Sequence, residues 1–352
     1  MEDGALLDHH SSIITLTTRT RTQYSLTMRI IWMVTLACFA LGTTADAKRL
    51  HLHRPKRGFQ MRMTPFVIPP ASEREGCEYQ VTPNRRAMDV QSLELTATAG
   101  THHFVLWEYL GKDDNPADFW SGIKYAAGCI GLGPQDSFGA TANLFGMQAS
   151  HARVEFPPGI AVRLEPHATV YPNLHVRNPS LTDPLTGEAV FNLIPARKGT
   201  VRHHAQALVV GSFQIDIPPQ SSASLAAVWY APANLNLVQL STHEHHRGTL
   251  VSAHQVDAAG NDMGELVLST DWQHPTERWF PEAQRVLAGE GIRFTCEWSN
   301  PDDHPVHFGV TTDDEMCFVT GYFYPDDDSA RVTGPGCVPQ GAGLECFVPN
   351  LP

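Results

Sequence analysis

The chain is 352 residues long and carries 37 acidic against 25 basic side chains, a formal net charge of −12. That balance excludes the electropositive surface that phosphate backbones require, so no nucleic-acid partner is expected. The 26 prolines and 27 glycines are spread along the chain. They leave few windows long enough for a helical period, which argues against a helical bundle.

Residues 1–27 are polar and read as an unstructured stretch upstream of the native start. "MRIIWMVTLACFALGTTADA", from Met28, has one Arg, then an apolar run, then Ala45-Asp46-Ala47. This is the pattern of a signal peptide over 28–47, cleaved after Ala47. The run is too short for a comfortable membrane span, so no stable span is expected after cleavage. An uncleaved anchor is the rival reading, and Cys38 is badly placed for a lipid attachment site. The expected location is secreted or periplasmic. The basic stretch over 48–75 opens with "KRLHLHRPKRGFQMRM" and reads as a flexible linker, with His51 and His53 exposed in it. Apart from Cys38, six cysteines remain: Cys77, Cys129, Cys296, Cys317, Cys337 and Cys346. An even count in an exported chain suggests disulfides, but many pairings are open.

From here on the chain alternates between turns and short apolar runs. "SLELTATA", "GIAVRLEP", "ATVYPNLHV", "AQALVVGSFQIDI", "SASLAAVWYA" and "GIRFTCEW" are examples. Several alternate with period two, the mark of half-buried strands. "DNPADFWSGIKYAAG" (114–128) is the best helix candidate. The expected fold is all-β, with two tandem antiparallel β domains over 76–190 and 191–352.

Histidines punctuate this pattern. "GTHHFVLWEY" places His102 and His103 at the start of an apolar strand. Neighbours on a regular strand face opposite ways, so both reach one metal only at a strand end or an irregularity. His175 follows in "VYPNLHVRN". "LSTHEHHRGT" brings His243, Glu244, His245 and His246 together. On a strand, His243 and His245 would share a face while Glu244 and His246 point away. Crowded imidazoles make poor core and good metal ligands; a solvated or structural role is the alternative. "TTDDEMCF" adds Met316. Three histidines in one set, with two histidines and a thioether in another, would suit copper cycling between oxidation states. The acids Asp313, Asp314 and Glu315 read as a polar turn ahead of Met316.

These motifs, in this order, resemble the copper type II ascorbate-dependent monooxygenases, the family of peptidylglycine α-hydroxylating monooxygenase and dopamine β-monooxygenase. "GTHHFVLWEY", "FPPGIAVRLEP", "YPNLHVRNP", "IDIPPQ", "THEHHRGTLVSAHQV" and "TTDDEMCF" carry the resemblance, from about Cys77 to Tyr324. It implies two jelly-roll-like β-sandwich domains, each holding one of two copper ions, facing each other across a solvent-filled cleft. His102, His103 and His175 would hold the electron-transfer copper, and His243, His245 and Met316 the copper that meets oxygen. The implied chemistry uses ascorbate as reductant. One atom of O2 enters a C–H bond of a small-molecule substrate and the other leaves as water. His246 and His307 would be groups that orient the ligands. The resemblance also implies a Cys296–Cys317 bridge bracing Met316, leaving Cys337–Cys346 and Cys77–Cys129.

The sequence departs from the family in places. Phe104 stands where the family has Met. Ser241 and Thr320 stand where peptide-hydroxylating members carry an Arg and a Tyr, and Asn173 replaces a Gln. The groups that grip a peptide carboxylate are therefore missing, and the substrate is open. "FVTGYFYP" suggests that Phe318, Thr320 and Tyr322 line a pocket; core packing is their alternative role. A copper-buffering protein on the same fold and a zinc-binding β protein are the competing readings. A thioether ligand speaks against zinc.

Overall fold

Runs of alternating apolar and polar residues between Gly and Pro fold as strands throughout the described part of the computed structural model. It covers residues 49–109, 122–125, 129, 141–327, 337–340 and 343–351. Those residues contain no α-helix. The signal-peptide segment 28–47 and the stretch before it lie outside the described residues, as does most of 114–128. The described part of that helix candidate, Lys124–Tyr125, is instead a short strand against Gly76 and Cys77.

Four main sheets build the molecule. One orders Phe59–Arg62, Ala189–Pro195, Met88–Ala97, Ile160–Leu164 and His203–His204. A second orders Lys124–Tyr125, Ser72–Cys77, Thr169–Asn178, Thr101–Tyr109 and Thr141–Met147. The third runs Arg278–Val286, Leu235–His243, Phe318–Pro325, Gln206–Gly211, Gly343–Phe347 and Cys337–Gln340. The fourth runs Ser221–Tyr230, Gly291–Asn300, Gly248–Val256 and Asp262–Ser269. Pairing is antiparallel except where Ile160–Leu164 meets His203–His204 and where Gln206–Gly211 meets Gly343–Phe347.

Period-two burial explains how these sheets pack. Gly291–Asn300 buries Ile292, Phe294, Cys296 and Trp298 and turns Arg293, Thr295, Glu297 and Ser299 away. Ser221–Tyr230 buries Leu225, Ala227 and Trp229 on one face. Each large apolar side chain so buried contributes roughly 2 kcal/mol. One core forms around Trp229, Phe294 and Phe323, a second around Phe104, Phe145 and Phe191. The second core also takes in Ala207, Val238 and Tyr322 from the later sheets, so apolar packing crosses between the halves. Three disulfides, Cys77–Cys129, Cys296–Cys317 and Cys337–Cys346, cross-link the strands.

Two expectations need correcting. Residues 49–75 are not a loose linker. Phe59–Arg62 pairs with Ala189–Pro195, and Ser72–Cys77 with Thr169–Asn178. Ahead of them the basic arm is pinned by side chains: Gln60 donates to the Leu52 carbonyl, Asn192 to the His53 carbonyl, and Arg62 pairs with Glu188. A boundary at residue 190 would cut the strand Ala189–Pro195, whose partners all lie in the first half. The sheets themselves change over between His204 and Gln206.

Glu108 lies buried on Thr101–Tyr109, and burial, with help from the Glu165 charge, pushes its carboxyl from 4.5 up to about 7. The folded chain therefore holds a proton that the unfolded chain has released, and stability falls as pH rises across that window. Glu108→Gln should flatten the dependence of the unfolding midpoint on pH between about 4.5 and 7 and raise it above that range. Thermal unfolding across pH checks this; an unchanged slope would remove Glu108 from the account.

Candidate metal centre

Each half of the molecule brings histidines to the seam by a local irregularity. In the first half, Thr101–Tyr109 pairs with Thr169–Asn178. His175 lies opposite His103, yet Val176 lies opposite Thr101. His102 is therefore an extra residue in the ladder, and such a bulge re-aims side chains that strict alternation would separate. The rings of His102 and His103 both come to His175, with centroids at 5.3 and 5.1 Å. In the second half, His243 ends the strand Leu235–His243, and His245 sits beyond it in the turn to Gly248–Val256. The two rings meet at 5.2 Å through this turn, not through a shared strand face. Glu244, expected to point outward, is buried, and a side chain at position 248 would collide with its carboxyl, so Gly248 makes its room.

Hydrogen bonds fix which ring nitrogens are left over. His175 Nε2 is 3.3 Å from Glu73 Oε2, and its Nδ1 is buried without a partner. His103 Nε2 is 3.5 Å from Glu75 Oε1. In the other group the order reverses: His243 Nδ1 bonds Gln148 Oε1 at 2.7 Å, and His245 Nδ1 bonds the Asp314 carbonyl at 3.0 Å. Both therefore keep Nε2. An oxygen that engages one ring nitrogen sets the tautomer and leaves the other as a lone-pair donor. His102 has neither nitrogen engaged, although both are buried. Burying two unmet polar atoms is costly, and a ligated metal is the chemistry that would offset it.

Electrostatics keep three of the rings neutral. Burial, and then the neighbouring imidazoles, hold His102 and His243 well below the ordinary histidine range. Burial brings His245 down to about 4. Burial alone would raise Glu73, but its bonds to His175 and Thr312 win and bring it to about 2. Neutral imidazoles beside fixed carboxylates are what a cation needs. His102, His103 and His175 offer donor atoms within 4.8 Å of one another, and so do His102, His243 and His245. The residues therefore fit a metal. The two sets meet at His102, with the His102 and His243 rings 5.3 Å apart. This corrects the expectation of a solvent-filled cleft between them.

Glu315 is the anchor of the second group and not part of a polar turn. It is fully buried and accepts the backbone N–H of His245, Arg247 and Met316 and the Trp298 indole N–H. Burial pushes its carboxyl up to about 7 against those donors. Burial and the Glu315 charge push Glu244 up to about 10, so Glu244 is a neutral acid at physiological pH. Cys296–Cys317 ties the next residue after Met316 to the neighbouring sheet.

Met316, His243 and His103 line a cavity of about 610 Å³. Phe318 and Thr320 line it too. Tyr322 also borders it, yet is mainly core: its ring packs on Phe156 at 4.9 Å and its hydroxyl accepts the Gly146 N–H. Gly211 lacks the side chain that would collide with the Phe318 ring. His246 does reach the site, through a bond from Nδ1 to the Thr312 carbonyl. His307 does not: its imidazole is exposed beside Asp216, and only its carbonyl serves the site by accepting the Glu315 N–H. Sequence reasoning missed Glu73, Glu75, Gln148 and Trp272. The first two had a signal: Glu-x-Glu on Ser72–Cys77 puts two acids on one face, matching the strand that carries His175.

An all-β frame gathering five imidazoles, each but one oriented by an oxygen, defines a protein with the donor set of a transition-metal centre. Residues 205–340 match the C-terminal domain of the copper type II ascorbate-dependent monooxygenases, which supports a relation to that family. The match covers His243, His245 and Met316 and stops short of His102, His103 and His175. No curated protein matches the chain. Among solved structures, the PBSX exported protein XepA is 7% identical over 68% of this chain and 86% of that one, with a TM-score of 0.19. Infectious bursal disease virus, Gx strain, is 9% identical over 80% and 77%, with a TM-score of 0.18. Likenesses this low carry no argument about fold.

Removing the Glu315 carboxylate would strand four N–H donors in a dry interior, at about 1 to 3 kcal/mol each if unrelieved. Glu315→Ala should lower stability by on the order of 3 kcal/mol or more, and Glu315→Gln, which keeps one acceptor oxygen, by less. Urea unfolding distinguishes them. Two variants as stable as the parent would show that the turn is held by something else.

Proposed function

We propose that the chain is an exported dicopper monooxygenase that hydroxylates a C–H bond of a small organic substrate with O2, using ascorbate as electron donor. In this reading His102, His103 and His175 hold one copper, and His243, His245 and Met316 the other. The two halves are jelly-roll-like domains, with a join near 205. Copper supplies one-electron redox chemistry and a means of handling O2, which no side chain offers. The protein holds His102, His243 and His245 neutral, orients the ligands through Glu73, Glu75, Gln148 and the Asp314 carbonyl, and confines the substrate. The single observation that carries the reading is the meeting of two histidine groups, on a chain whose second half matches this family. Three disulfides support an oxidising, extracytoplasmic setting. No helix among the described residues is long and apolar enough to cross a membrane.

The cavity favours an enzyme over a copper-buffering protein, because a buffer needs no chamber beside its metal. Its volume suits a small molecule. Trp107, Trp279, Phe318 and Met147 give it apolar walls, and Gln148, Asn143 and Ser241 give scattered polar groups. Its described lining includes Glu75, Glu277 and Glu345 and neither Lys nor Arg. A substrate carboxylate would find no cation there, in keeping with Ser241 and Thr320 at the positions where peptide-hydroxylating relatives place Arg and Tyr. The substrate is therefore an apolar or aromatic molecule that is neutral or positively charged.

Copper analysis of the purified chain, followed by oxygen uptake with ascorbate, tests the proposal. Two coppers per chain and ascorbate-driven uptake are expected. Met316→Ile should keep the three-histidine copper and abolish hydroxylation. A chain that binds no copper, or zinc in its place, would sink the assignment. Full activity in Met316→Ile would remove the thioether from it.

A further inference from the structure

A second pocket of about 410 Å³ borders the histidine cluster and shares no lining residue with the substrate cavity. His102 reaches its wall, whereas His103, His243 and Met316 line the other. Its floor is Trp272, whose ring lies 5.7 Å from that of His102. Above Trp272 sits Arg177, with its guanidinium carbon 5.7 Å from the indole. Arg177 is exposed, and among the described residues its guanidinium has no carboxylate partner. Ser72, Thr101 and Gln273 add hydroxyl and amide groups to the same walls.

We propose that this pocket is the docking site of the reductant, an anionic, hydroxyl-rich enediol lactone of the ascorbate kind; the inference rests on the monooxygenase reading above. An enediol anion needs a cation, donors for its hydroxyls and a flat surface for its ring. Arg177 supplies the cation and Trp272 the flat surface; the Gln273 amide can donate, while the Ser72 and Thr101 hydroxyls, whose protons go to the Pro69 and Thr98 carbonyls, accept from the ligand's hydroxyls. An unpaired guanidinium presents a planar fork to an oxyanion. Two acids also border the pocket. Glu73 is committed to His175 and Thr312, which leaves Asp313 as the one opposing charge. The substrate cavity offers the reductant nothing comparable, with three carboxylates and no cation in its described lining. The charges of the two pockets therefore sort the two small molecules to separate pockets beside one histidine cluster. Each docked enediol anion gives up one electron and one proton and becomes its radical anion. A copper(II) ion held by His102 and its neighbours would accept that electron, with Trp272 and His102 lying between the pocket and the metal, and the proton would leave to solvent, so two such events would supply two electrons.

Equilibrium dialysis of ascorbate against the full-length, copper-free chain under argon tests the site without turnover. Arg177→Gln should weaken binding roughly tenfold, Trp272→Leu should weaken it too, and Arg177→Lys should restore part of the loss. Arg54→Gln, on the distant arm, should bind as the parent does. On the Cu(II)-loaded chain, loss of the Cu(II) paramagnetic signal should need roughly tenfold more ascorbate in Arg177→Gln. Reduction by a neutral phenylenediamine should be unchanged. Equal ascorbate affinity in the parent and Arg177→Gln, or no binding to the parent, would overturn the proposal. A chain that fails to bind copper would instead overturn the monooxygenase reading, while the dialysis still decides the pocket.

Discussion

The Glu315 carboxylate lies with no surface exposed and collects four N–H groups from three separate places: the 244–247 turn, Met316 and Trp298. Such a carboxylate is tolerable in a dry interior only because every lone pair is met. The consequence is geometric. His245 and Met316 are about seventy residues apart in sequence, on segments that share no strand pairing at that point. Both take their backbone positions from one side chain. The neighbouring Arg247 closes the arrangement by donating to the Asp313 carbonyl and pairing with Asp302. A turn with four consecutive charged or ionisable residues, Glu244 to Arg247, would otherwise belong at the surface.

The same polar economy joins the halves. Glu73 holds His175 with one hand of its carboxylate and Thr312 with the other. Thr312 in turn receives His246. Gln148 accepts from His243 and donates to the Thr242 carbonyl. Tyr322 anchors the first half through the Gly146 N–H. The Glu73–Thr312, Gln148–His243, Gln148–Thr242 and Tyr322–Gly146 bonds cross the seam, and the first three involve residues that orient a histidine. The apolar core crosses at the same place through Val238 and Tyr322. Seam and site are thus one construction, and this is why the histidine groups touch where a cleft was expected between them.

Much of this was legible in the residues. Period-two runs gave the strands, and the all-β class followed from them. The histidines stood out because crowded imidazoles have few uses in a core. The sequence could even state the problem of His102 and His103: neighbours cannot share a target on a regular strand. What it could not do was locate the remedy. A bulge at His102 is a property of the pairing with Thr169–Asn178, and register is decided between strands rather than within one. His245 shows the same limit, since His-x-His reads identically on a strand and at a strand-to-turn junction. Glu315 and Glu244 were misread because acids beside Asp313 and Asp314 look solvated, and only tertiary donors and the space at Gly248 make burial possible. The basic arm was misread for a related reason: its charges signal solvent, while its carbonyls accept from Gln60 and Asn192.

The charge distribution around the cluster completes the argument. A net charge of −12 says only that the surface as a whole repels anions. Locally the two pockets differ, one bounded by Glu75, Glu277 and Glu345 and the other open to Arg177. Between them, His102, His243 and His245 are held neutral by burial and add no charge of their own to blur the contrast. Any cations they bind would be screened from the substrate side by Glu75 and Gln148 and from the other by Glu73. Short side chains already engaged to histidine thus serve a second purpose. They would keep the field of any bound cation local, so that each pocket keeps the polarity its own walls give it.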